Sequence, residues 1–212
     1  MEIALRDVGQ AYGERWLFRH INVQFRPGTV TAVTGPNGSG KSTLLRICAR
    51  LAAPVEGKVT VTEGERPLVK ADYRERLALV TPELRFYPCL TAWENMSFLL
   101  GLRGQELSPA RYSELLSRAG LQEARLRGVL AGSLSTGQRQ RLKLAVLLAS
   151  EAQGWLLDEP GANLDASGRA LVLGEARKHA ESGGLVLWAT NDEREEAAAD
   201  ACIDLGRGEA GL

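Results

Sequence analysis

Apolar and polar positions alternate in twos at the start of the chain and shift to a helical spacing further on, and this shift sets the expected order of elements. Met1 to Val8 (MEIALRDV) and Ile21 to Phe25 (INVQF) read as strands, with Gly9, Gly13 and Pro27-Gly28 as breaks, so an antiparallel N-terminal sheet is expected. Val30 to Thr34 (VTAVT) is a β-branched run that leads through a glycine-rich stretch into the apolar helical pattern LLRICARLA. Lys58 to Thr62 and Leu77 to Thr81 read as two more strands around the turn-rich EGERP. From Thr91 to about Gly128 the spacing is helical, and Ser108-Pro109 opens ARYSELLSRAGL with a capping serine and a proline suited to a first turn. A helix over Gln138 to Ser150, a buried strand GWLLD, a helix from about Ala166 to Glu181 and a strand from Leu185 to Thr190 complete the series. Strand and helix alternate there, which predicts an α/β class fold with a doubly wound parallel sheet.

Composition narrows the picture. The 212 residues carry 26 basic and 26 acidic side chains and are 44% hydrophobic, a profile that excludes disordered and collagen-like chains. One domain spanning 1–212 is expected, with a helical subdomain at about 84–130. A net charge of zero gives no global attraction to nucleic acid, and none is expected as a partner. Cys48, Cys89 and Cys202 are odd in number and far apart, which points away from disulfides and zinc. The N-terminus lacks the layout of a signal peptide, and no run approaches the ~20 apolar residues that span a bilayer. Work at a membrane would therefore go through a partner.

Gly35-Pro36-Asn37-Gly38-Ser39-Gly40-Lys41-Ser42, followed by Thr43, matches the phosphate-loop pattern G-x-x-x-x-G-K-[ST] between a strand and a helix. Glycines let the backbone curl round a phosphate, and the loop amides and helix N-terminus attract negative charge. The lysine neutralises it, and Ser42 is placed to ligate Mg2+. The plainer alternative is a β-to-α turn with an exposed lysine. Asp158 and Glu159 close the buried strand Trp155-Leu156-Leu157. Asp158 suits a magnesium site and Glu159 a general base that polarises water; the alternative is a pair of surface acids.

Leu134-Ser135-Thr136-Gly137-Gln138-Arg139-Gln140 opens a helix about twenty residues before the acidic strand, and alone it reads equally well as a helix cap. With the two flanking motifs, the whole chain resembles the nucleotide-binding subunits of ABC transporters. The resemblance implies a P-loop NTPase fold with an N-terminal antiparallel β subdomain and an inserted helical subdomain, binding ATP and Mg2+. It implies that Ser135, Gly137 and Gln138 close on the γ-phosphate of ATP held by another subunit; Thr136 stands where the family has glycine. Tyr12 matches the aromatic that stacks on adenine, its alternative being a strand-end aromatic in the core. Asp165, in Asn163-Leu164-Asp165, matches the loop that crosses the dimer interface. Glu83 falls where the family has a glutamine that touches magnesium, and Asn191 where it has a histidine on the γ-phosphate. The two histidines, His20 and His179, lie elsewhere and are expected to be solvated.

The resemblance further implies a homodimer or heterodimer on a transmembrane permease subunit, peripheral on the cytoplasmic face of the membrane. Phe86, Tyr87, Pro88 and Leu90 would contribute to the cleft that receives the permease, unless they pack the subdomain core. The short chain is similar to heme-exporter subunits of cytochrome c maturation. The leading function is an ATP-hydrolysing motor subunit. The alternative, motivated by Asn191 and Glu83, is an ATP-dependent dimerising scaffold that hydrolyses slowly and is not coupled to transport. Lys41 and Ser135 are too close in sequence for the long coiled coil of chromosome-maintenance ATPases, and no N-K-x-D marks a GTPase.

Overall fold

The computed structural model describes residues 1–207 and opens on a long hairpin, β1 (Glu2–Tyr12) and β2 (Arg15–Phe25). Alternate side chains, among them Ile3, Leu5, Ile21, Val23 and Phe25, turn to one buried face, as a half-covered antiparallel sheet requires. Gly9 does not end β1 as the sequence suggested. The ladder instead shifts register between Val8 and Gln10, a bulge that absorbs the glycine without breaking the strand. Only the turn between Tyr12 and Arg15 reverses the chain.

β3 (Val30–Thr34) leads to α1 (Lys41–Cys48), after which β4 (Glu56–Glu63) pairs antiparallel with β1 and with the short β5 (Arg66–Pro67). The first sheet therefore has the order β2-β1-β4-β5. α2 (Lys70–Arg76) precedes β6 (Leu77–Val80). The second sheet runs β6-β7-β8-β3-β9, with β7 (Gly154–Asp158), β8 (Leu185–Ala189) and β9 (Ala201–Asp204), and neighbouring strands in it pair in parallel. β3, β7 and β8 are buried at every position, which explains their unbroken apolar runs. Leu44, Leu45 and Ile47 of α1 share one core with Leu156, Leu187 and Ile3, each side chain contributing roughly 1.5–3 kcal/mol by leaving water.

The described chain divides into two units. The first comprises Met1–Thr81, Ala152–Pro160 and the described residues from Glu175 on; the second comprises Pro82–Glu151 and Gly161–Gly174. In the second, α3 (Ala92–Gly101), α4 (Pro109–Arg118), α5 (Glu123–Leu126) and α6 (Thr136–Ala149) gather Met96, Leu100, Leu116 and Leu142 into a helical core. α7 (Ala166–Glu181) and α8 (Glu193–Ala197) complete the helices. α2 and β9 had no counterpart in the sequence reading. Lys70–Arg76 is mostly charged and offers one large apolar anchor, Tyr73, while Ala201–Asp204 is too short to show a period.

Candidate functional site

β3 carries the chain into the phosphate loop, and the loop ends at the N-terminus of α1. Gly40 is the capping residue, at φ 101° and without any side-chain cap for the helix. A Cβ there would lie 2.8 Å from the Phe18 ring, so glycine is required both by conformation and by space. The first amides of α1 are thereby left without a side-chain acceptor, the arrangement that attracts an anion. Lys41 is buried, and its Nζ donates to the carbonyls of Gly35 at 2.7 Å and Pro36 at 3.2 Å. Burial lowers the Lys41 pKa, and the Glu159 and Asp158 carboxylates oppose that shift. Asn37 and Gly38 are exposed, while Ser42 and Thr43 are half-buried. The buried Ser39 hydroxyl has no hydrogen-bond partner, and a phosphate oxygen is the kind of group that would satisfy it.

Asp158, the last residue of β7, is only 5% exposed. Glu159 follows with its side chain exposed and its backbone at φ 52°, a left-handed conformation costing a non-glycine residue about 1–3 kcal/mol. Its N–H donates to the Ala189 carbonyl at 2.9 Å, which ties this strained corner to the end of β8. Just beyond β8, the Asn191 side-chain amide donates to Asn37 Oδ1 at 2.8 Å, so the strand end grips the phosphate loop itself. Tyr12 is 64% exposed at the end of β1, which removes its core reading. The first unit thus brings Gly35–Thr43, Asp158, Glu159 and Asn191 onto neighbouring strand ends and loops.

The second unit holds the other sequence-predicted residues. Ser135 caps α6 in a reciprocal box: its hydroxyl accepts from the Gln138 N–H at 3.1 Å, and the Gln138 side-chain oxygen accepts from the Ser135 N–H at 2.8 Å. Ser135, Gly137, Gln138 and Asp165, with Gln122 and Arg125, line a hollow of about 440 Å³. Thr136 is exposed, so its departure from glycine costs no packing. Asp165 is held well below the usual carboxylate range by the Gly168 N–H, then by the Ser167 hydroxyl and Arg141. Glu83 is exposed. Lys143, buried on α6, donates to the Pro82 carbonyl at 3.2 Å; burial lowers its pKa and the Glu83 carboxylate opposes the shift.

Two expectations need correction. His179 is not solvated like His20: it is half-buried, stacked on Trp155 with ring centroids 4.1 Å apart and hydrogen-bonded to the Gln153 carbonyl. The aromatic cluster is split, Phe86 being buried while Tyr87 is 51% exposed and meets Phe98 edge to face. Sequence reasoning also missed Asn95. This 1% exposed amide accepts from the Tyr87 N–H and donates to the carbonyls of Tyr87, Leu90 and Thr91, shaping the loop that carries the cluster. Nothing distinguishes it in sequence from any helical asparagine.

The family model described as ABC transporter matches residues 18–162. The chain is 33% identical over 192 residues to the cytochrome c biogenesis ATP-binding export protein CcmA of Haemophilus influenzae, covering 91% of this chain and 90% of that protein. It is 36% identical over 187 residues to the protein of the same name from Nitrosospira multiformis, covering 88% and 90%. The sulfoquinovosyl glycerol transport ATP-binding protein SmoE of Agrobacterium fabrum is 34% identical over 91% of this chain, which spans 54% of that longer protein. Among solved structures, the dimeric bacterial ABC transporter cassette MJ0796 superposes with a TM-score of 0.85 at 28% identity, covering 99% of this chain and 97% of that one. A post-hydrolysis state of the same cassette, bound to ADP and Pi, matches equally well, with a TM-score of 0.85. With its phosphate loop, acidic strand end and capped signature helix in family order, this chain belongs to the ABC transporter family and is an ATPase of that family.

Proposed function

We propose that two copies of this chain, or one copy and a related subunit, sandwich two ATP molecules and drive a separate membrane-spanning exporter of the kind that serves cytochrome c biogenesis. The near end-to-end match to the proteins named for that process supports the choice of partner. Among the described residues no helix is long and apolar enough to cross a membrane, so in this reading the chain sits on the cytoplasmic face through that partner. The observation that carries the sandwich is the hollow of the second unit. Ser135, Gly137, Gln138 and Asp165 line it, and the solved cassette that superposes with a TM-score of 0.85 is dimeric. A nucleotide face of that composition calls for a phosphate loop from a second subunit.

In this reading the Gly35–Thr43 loop and the N-terminus of α1 hold the phosphates, Lys41 neutralises the terminal ones, and exposed Tyr12 offers a stacking surface for the base. Glu159 takes a proton from the attacking water as the bond to the γ-phosphate breaks. Among the described residues no cluster of three or more His, Cys, Asp or Glu could hold a metal alone. Ser42 and Asp158 would bind Mg2+ together with phosphate oxygens, and the ion would supply charge neutralisation. The Asn191 to Asn37 bond favours the alternative of a slow-hydrolysing dimerising scaffold, because it commits one of the two amide N–H groups at this strand end to the loop and leaves only the other for the γ-phosphate.

Glu159→Gln tests the sandwich. It keeps the ATP contacts and removes the base, so light scattering should find a stable dimer with saturating ATP and Mg2+. Monomer at all protein concentrations would reject it.

A further inference from the structure

We infer that Arg141 is a positioning residue, threaded between two backbone segments so that the Asn163–Asp165 loop and the capped N-terminus of α6 present one rigid face to the nucleotide of a second subunit. The inference rests on the sandwich proposed above and adds a part to it. Arg141 lies on α6 two turns past Ser135, and its side chain is only 17% exposed. Nη2 donates to Asp165 Oδ1 at 3.2 Å and to Ser167 Oγ at 3.4 Å, while Nη1 reaches the Ala119 carbonyl at 3.5 Å, at the end of α4. One guanidinium therefore touches three segments of the second unit.

The slot it fills is cut in the backbone. A Cβ on Gly120, itself at φ 70°, would lie 2.2 Å from Arg141 Nη1. A Cβ on Gly168 would lie 2.9 Å from both Arg141 Nη2 and Asp165 Oδ1. Asp165 Oδ1 also accepts from the Gly168 N–H at 2.7 Å and the Ser167 hydroxyl at 3.1 Å, so a single oxygen joins the cap of α7 to the cation. Asn163, two residues earlier, stands at φ 61°, a left-handed conformation that asparagine adopts more readily than other side-chain-bearing residues. A planar fork with several donors can hold two loops at once, whereas an ammonium holds one point. Moving Arg141 would shift Asp165 relative to Ser135 while leaving the phosphate loop's own residues unchanged.

Two variants separate this role from general support of the fold. Arg141→Ala removes the clamp. Gly168→Ala displaces it while improving intrinsic helix propensity within the first turn of α7. Each is measured in the native and the Glu159→Gln backgrounds. ATP-driven dimerisation should weaken and kcat should fall, each by tenfold or more, while ATP binding to the monomer stays within about twofold. Gly168→Ala should do this without lowering Tm, and Arg141→Lys should recover only part of the loss. Amide exchange at Gly168, measured without nucleotide, should accelerate in Arg141→Ala. If Glu159→Gln fails to dimerise at all, the sandwich falls, and the exchange experiment alone decides whether Arg141 holds the loop. Native dimerisation in both variants would overturn the inference, as would unchanged exchange, or losses that simply track Tm.

Discussion

Two helix N-termini, at α1 and at α6, carry the chemistry in the function proposed above, and they are finished in opposite ways. α1 begins at Gly40 with no side-chain cap, whereas α6 begins at Ser135 with a complete capping box. The other helices with a side-chain cap in the described chain, α3, α4, α7 and α8, resemble α6 in using Thr91, Ser108, Asp165 and Asp192. An N-terminus normally satisfies its first amides from its own chain, since replacing such a cap by alanine costs about 1 kcal/mol. α1 forgoes that gain and leaves amides for a ligand, with Lys41 folded back on the loop beside them. At α6 the Ser135 Oγ already accepts from the Gln138 N–H, so what it has left to offer a nucleotide is its own O–H. In the reading proposed above, the first end binds phosphate by itself and the second adds to a phosphate already held.

The largest test of that contrast is Lys41→Ala. Without the buried ammonium, uncapped amides alone face the clustered phosphate charge, and Mg-ATP affinity should fall by at least a hundredfold in calorimetric titration while the circular dichroism spectrum is retained. The native protein should also lose affinity with rising pH earlier than an ordinary lysine would dictate, because burial lowers the Lys41 pKa and so moves the loss of its charge to lower pH. Unchanged affinity in the folded mutant would remove the assignment of this loop.

Ser135→Ala should act on the other side of the comparison. Monomer binding of ATP should stay within twofold, stability should drop by about 1 kcal/mol with the lost cap, and ATP-driven dimerisation should weaken roughly tenfold. A mutant that binds ATP poorly as a monomer would show that the two N-termini do not divide the work in this way.

How much of this was legible beforehand follows from the kind of contact involved. The phosphate loop, Asp158 and the alternation of strand and helix could be read because their spacing is fixed by local geometry: a glycine at position 40, a lysine next to it, a short β-branched or apolar strand before each. The capping box could be read for the same reason, since Ser135 and Gln138 are three residues apart. Arg141, Asn95 and Lys143 could not, because their meaning lies in partners at other places in the chain, such as Asp165 and Ala119 for Arg141. The strained backbone of Glu159 was equally hidden, as nothing in the residue type marks a left-handed glutamate. Gly9 misled for the converse reason: a local breaker was overruled by pairing with strands on both sides.

The smallest expected effect concerns the strand end beyond β8, where Asn191 holds Asn37 of the phosphate loop. An asparagine amide is shorter than the histidine of the family and cannot take up a proton to become cationic, so it offers less to charge developing on the γ-phosphate. It also starts out engaged, with one of its two N–H groups held by Asn37 at 2.8 Å and only the other left for the phosphate. Both considerations place its cost in the transition state more than in the ground state. Asn191→His should therefore raise kcat by about threefold, equivalent to ~0.7 kcal/mol of transition-state stabilisation, with KM changed by less. Asn191→Ala separates the two roles: it frees Asn37, so it should raise KM if the loop needs the bond and lower kcat if the amide itself meets the phosphate. Glu83→Gln, measured alone, reports the charge at the other departure from the family. If the native protein already turns ATP over briskly and Asn191→His leaves kcat unchanged, the asparagine pair is an adapted grip on the phosphate loop, and the slow scaffold loses the observation that favours it.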